Sequence, residues 1–167
     1  VLVMLLIIGG VAWLHGRIGL TAGALWALSI WGLLHMAGGL MPVPESWPIA
    51  GEVRVLYSWW MIPKANGGGY LKYDNLVHAY GFAAATWVCW QALRGTVLAR
   101  IGILLRPSFG LCVLAAIAGL GLGALNEVVE FAATRLTATN VGGYVNTGWD
   151  LVMNTLGATV AAGLIYL

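Results

Sequence analysis

Residues 108–131 read SFGLCVLAAIAGLGLGALNEVVEF. From Ser108 to Leu125 no side chain is charged, and then Asn126, Glu127 and Glu130 arrive within five positions. About 20 apolar residues in a helix cross the hydrocarbon core of a bilayer. The run is continuous rather than alternating, so it reads as a helix and not as a barrel strand. Pro107 stands just before it, where a helix tolerates proline. Gly119 and Gly123 form a GxxxG pair, a spacing that lets two helix backbones approach closely. The segment ends on two carboxylates, and the rest of the chain must account for them.

Four other apolar runs lie outward from it, over residues 1–14, 20–41, 74–93 and 149–167. The first is short for a span. The chain opens with Val1 inside that run, so five helices are expected as a minimum. The composition agrees: 60% of the 167 residues are hydrophobic and 8% are charged, against about 45–50% and about 25% in soluble domains. This excludes a soluble enzyme, a disordered segment and a nucleic-acid-binding domain, and a net charge of +2 calls for no polyanionic partner. Cys89 and Cys112 sit in apolar runs, so no disulfide framework is indicated. The expected architecture is all-α: one polytopic transmembrane helix bundle over residues 1–167, in contact with the lipid bilayer.

Three connections join the runs. Residues 42–73 hold Pro42, Pro44, Pro48, Pro63 and the run Asn66-Gly67-Gly68-Gly69, with Trp47, Tyr57, Trp59 and Trp60 suited to a membrane interface. Residues 94–106 carry Arg94, Arg100 and Arg106 and are expected to lie along the surface as a short amphipathic helix. Residues 135–148 read as a loop. The side receiving Arg17, Arg94, Arg100 and Arg106 ties in basic residues with the side receiving Arg54, Lys64, Lys72 and Arg135, but its loops are much shorter, which places it in the cytoplasm.

Alternating helix directions then bring His35, Asp74, His78, Glu127, Glu130, Asp150 and Asn154 to the opposite, non-cytoplasmic leaflet. Asp74 and His78 are four apart, as are Asp150 and Asn154, and Glu127 and Glu130 are three apart, so each pair shares a helix face. An ionised group costs about 2.5–3.5 kcal/mol at the bilayer centre, so such residues need partners. Glu127 and Glu130 end a helix, where the helix dipole opposes negative charge. A proton, a cation, Arg135, or His35 and His78 can supply the balance. His78, Glu127, Glu130 and Asp74 are the expected ligands if one divalent ion (Zn, Mn, Fe or Mg) is held there. Asp74 and Asp150 read equally well as helix N-caps. Tyr73, Asn75, Asn126 and Trp149 flank the group and are expected as its outer support. Gly119, Gly123 and Gly157 mark close helix packing, either within the chain or against a partner.

The run Leu34-His35-Met36-Ala37-Gly38-Gly39, then Tyr73-Asp74-Asn75-Leu76-Val77-His78 with Gly81-Phe82, then Asn126-Glu127-Val128-Val129-Glu130-Phe131, then Trp149-Asp150 with Gly157-Ala158, resembles the YjdF-like family of bacterial inner-membrane proteins. A looser likeness links it to VanZ-like membrane proteins. The resemblance implies a multi-pass inner-membrane protein of about six helices and supplies no reaction. Acids that the family often carries before the position of Asp150 are missing from residues 143–148, which disfavours a site for two metals.

Three functions remain open on the sequence. One is a membrane protein with a polar, metal-binding or hydrolytic site. The second is a structural or assembly subunit of a larger membrane complex, with other membrane subunits as partners. The third is a proton or ion path, for which the cytoplasmic half offers only Ser29, Thr86 and Gln91.

Overall fold

The computed structural model describes residues 2–136 and 143–167. Five helices form: α1 (Leu2–Ile18), α2 (Ala22–Leu40), α3 (Tyr73–Ile101), α4 (Phe109–Leu136) and α5 (Tyr144–Tyr166). α2 and α4 are long and apolar enough to cross a membrane by length and composition, with mean hydropathies of 1.3 and 2.0. α3 and α5 have 29 and 23 residues but carry buried polar side chains, including Asp74, His78, Asp150 and Asn154. α3 is the hub: it packs most extensively on α5, then on α4 and α2, and α1 leans on α3.

Three expectations are corrected. No surface helix forms over residues 94–106, because α3 continues through Ile101 and stops at Gly102, whose φ of 69° is a left-handed helix end. The loop expected over 135–148 is helix at both its ends, since α4 reaches Leu136 and α5 starts at Tyr144; residues 137–142 lie outside the described residues. The 42–73 connection is not simply irregular. It holds a short 3-10 helix (Leu56–Ser58) and an antiparallel hairpin, β1 (Trp60–Pro63) with β2 (Gly69–Lys72). Gly67 and Gly68, at φ 92° and 69°, make the hairpin turn. Two isolated bridges, Pro42 with Val55 and Ile49 with Trp59, tie the connection to itself. The Trp47 and Trp59 rings lie 4.3 Å apart, and Arg54 donates to the carbonyls of Pro44 and Trp47.

The seams between helices follow a small-residue pattern. On α4, Cys112, Ala115, Gly119, Gly123 and Glu127 are all buried and recur every three or four positions. On α5 the buried set is Asp150, Asn154, Gly157, Ala158 and Ala161. A β-carbon at Gly119 would collide with the hydroxyl of Thr86 on α3, and one at Gly157 with the carbonyl of Ala79. One at Gly123 would lie 2.9 Å from the Asn154 amide nitrogen. All three glycines therefore serve packing within the chain. The outward faces carry large exposed apolar residues, among them Trp26, Leu33, Phe109, Ile117, Val160 and Leu164.

Candidate metal centre

The same stripes that bury glycine and alanine along most of their length bury acids at one end. Asp74 and His78 come from the first two turns of α3, Glu127 and Glu130 from the last turns of α4, and Asp150 and Asn154 from α5. Asp150 is fully buried, Asn154 is 1% exposed and Glu127 is 7% exposed. Neither aspartate is an N-cap. Lys72 caps α3, with Asn75 rather than Asp74 accepting its backbone N–H at 2.9 Å. Asp150 lies well inside α5, which begins at Tyr144.

Ligand atoms from His78, Glu127, Glu130 and Asp150 all lie within 4.8 Å of one another. Donors about 2.1 Å from a shared ion sit about 3.4 Å apart when tetrahedral and about 4.2 Å apart when opposite each other. A small contraction thus brings these atoms to ligand spacing. The group includes Asp150 and omits Asp74, whose Oδ2 is held by Lys72 Nζ at 3.1 Å. The Lys72 ammonium also donates to Asn146 Oδ1. Asn146 in turn donates to Asp150 Oδ2 at 2.5 Å. Lys72 and Asn146 therefore clamp Asp74 and Asp150 in place.

His78 is oriented by its neighbours. Its Nδ1 lies 3.0 Å from Asn154 Oδ1. An amide oxygen only accepts, so Nδ1 carries the proton. Nε2 then faces Asp74 Oδ1 at 3.5 Å and Asp150 Oδ1 at 4.0 Å. An acceptor nitrogen facing two acceptor oxygens requires a proton or a metal ion between them. Both oxygens of Glu127 and Oδ1 of Asp150 are buried without a hydrogen-bond donor, although His78 lies 3.6 Å from Glu127 Oε1. Glu130 Oε1 accepts from Asn126 Nδ2 at 2.7 Å. Among the described residues, no lysine or arginine pairs with Glu127, Glu130 or Asp150. Arg135 instead lines a cleft beside Glu127 and Glu130, between the end of α4 and the start of α5.

His35 stands apart from this group. Its Nδ1 receives the Tyr57 hydroxyl at 2.5 Å, and its ring lies 5.5 Å from that of Trp31. Burial, reinforced by the nearby Asp74 charge, raises the Tyr57 hydroxyl far above its ordinary range, so it stays protonated and donates. Trp149 is 56% exposed and gives the cluster no support. The sequence reading missed Lys72, Asn146 and Tyr57. Asn146 was within reach, since it lies four residues before Asp150, but the Gly-rich flank read as loop. The charge two positions before Asp74 was the signal for Lys72. No local signal marks Tyr57, which reaches His35 only through the folded connection.

A family model described as "Predicted membrane protein (DUF2238)" matches residues 1–167. No curated protein and no solved structure matches the chain.

Proposed function

We propose that the chain, which belongs to this family of predicted membrane proteins, is a multi-pass bacterial inner-membrane protein that binds one divalent metal ion. The ligands are His78, Glu127, Glu130 and Asp150, near the non-cytoplasmic leaflet. The observation that carries this reading is the surplus of buried acceptors. Lys72 is committed to Asp74, which leaves three carboxylates around one histidine. A single imidazolium balances one of them. A divalent ion balances two and satisfies the orphaned oxygens of Glu127 and Asp150. One nitrogen and three carboxylates suit Zn, Mn, Fe or Mg. The His78 Nδ1–H to Asn154 bond is the outer support that fixes a metal-binding imidazole in the required tautomer. Such an ion polarises a bound oxygen or activates a bound water. The naming as YjdF-like is consistent with the family assignment and adds no reaction.

The assembly-subunit reading loses one support, because Gly119, Gly123 and Gly157 are used inside the bundle. Orientation follows the basic residues, with the hairpin connection on the non-cytoplasmic side.

The test is thermal unfolding of purified protein in detergent, with and without chelator. A ligand at about 100 times its dissociation constant stabilises by about 2.7 kcal/mol. Chelation is expected to lower the midpoint, and Zn or Mn to restore it. Glu130→Gln is expected to respond to neither. A midpoint indifferent to chelator and metal contradicts the proposal.

A further inference from the structure

A second feature adjoins the cluster without sharing its chemistry. A cavity of about 380 Å³ lies among α1, α2, α3 and α4, walled by residues such as Val11, Leu28, Phe82, Ala85 and Leu122. Its volume falls in the range of small-molecule sites, about 300–1,000 Å³. Apart from Asn126 and the indole of Trp31, every lining residue is apolar. A cavity so lined excludes water and takes apolar ligands.

Three observations limit the occupant. The lining runs from Gly81 to Val88 on α3 and from Leu122 to Val129 on α4, about 10 Å at 1.5 Å per residue. That is about a third of the hydrocarbon thickness, too short a seam for a partner helix crossing the membrane. The pit opens sideways: α1 packs on α3 and makes no comparable seam with α4. Its wall carries Asn126, between Leu125 and Val129, whose amide donates to Glu130 Oε1 at 2.7 Å. One wall residue thus joins the apolar chamber to the carboxylates.

We propose that this cavity seats the hydrocarbon chain of a single-chain membrane amphiphile whose oxygen-bearing head lies at the carboxylate cluster. The seat for the chain rests on the cavity alone; the position of the head rests on the metal-binding reading.

The probe is palmitate carrying a diazirine in its chain, presented in phosphatidylcholine vesicles containing the full chain. After irradiation, adducts are mapped to peptides by mass spectrometry, and metal content is measured on the same samples. Adducts are expected on Phe82, Ala85 and Leu122. Gly10→Leu is the first plug: Gly10 lines the pit, and a β-carbon there meets nothing within 4 Å. It is expected to cut labelling about tenfold while leaving metal content unchanged. Ala85→Leu provides a second, independent plug. Labelling spread over Trp26 and Leu33, or unchanged in both filled variants, overturns the proposal, as does a cross-link between two copies through this pit. Adducts in the pit of a metal-free protein sustain the chain seat and remove the metal-binding reading.

Discussion

The Tyr57 hydroxyl shows how far a single side chain can be read. It donates to His35 at 2.5 Å and is mostly buried. An unfolded tyrosine ionises near pH 10, while burial keeps the folded one protonated. The folded state then binds more protons, so its stability falls as pH rises above about 10. Tyr57→Phe is expected to cost about 1 kcal/mol at neutral pH through the lost bond and to reduce the alkaline loss. Unfolding midpoints of both proteins at pH 8 and pH 11 check this. His35 itself was readable as a polar residue at the right end of α2. Its partner was not, because the contact spans 22 positions and depends on the fold of a Pro- and Gly-rich connection.

Elements were legible where one physical signal dominated. α2 and α4 are continuous apolar runs, and hydropathy alone located them. Their ends were harder. α3 runs on to Ile101 because Arg94 and Arg100 are good helix formers that tolerate an exposed last turn. α5 starts early for a similar reason: Asn146 is used by Asp150, which rewards a helix where composition suggested a loop. The glycine seams carry a sharper expectation. Gly157→Ala forces a methyl against the Ala79 carbonyl and is expected to cost about 1–3 kcal/mol. Gly121→Ala adds a methyl that meets nothing within 4 Å and is expected to be neutral or stabilising by up to about 1 kcal/mol. Unfolding midpoints in detergent compare the two, and equal costs would contradict the packing account.

At the scale of the molecule, scarcity of charge is the organising fact. Four of the six acids gather at one end of α3, α4 and α5, Asp74, Glu127 and Asp150 buried and Glu130 half-buried, while Glu45 and Glu52 stay exposed in the connection. That convergence was legible from helix direction alone. That Asp74 serves both Lys72 and His78 while Asp150 joins Glu127 and Glu130 near the histidine was not, because it depends on side-chain direction across three helices. The membrane reading also predicts sidedness. In a chain with Cys89 and Cys112 replaced by alanine, Tyr70→Cys is expected to react with an impermeant maleimide in whole cells and Arg106→Cys only after lysis. The reverse pattern would invert the orientation. The most direct test of the central claim is the metal content of the purified chain, measured by elemental mass spectrometry. About one divalent ion per chain is expected, lost in His78→Ala and Glu130→Gln and kept in Glu45→Gln. A folded wild-type chain without bound metal, even after incubation with Zn or Mn, would contradict it.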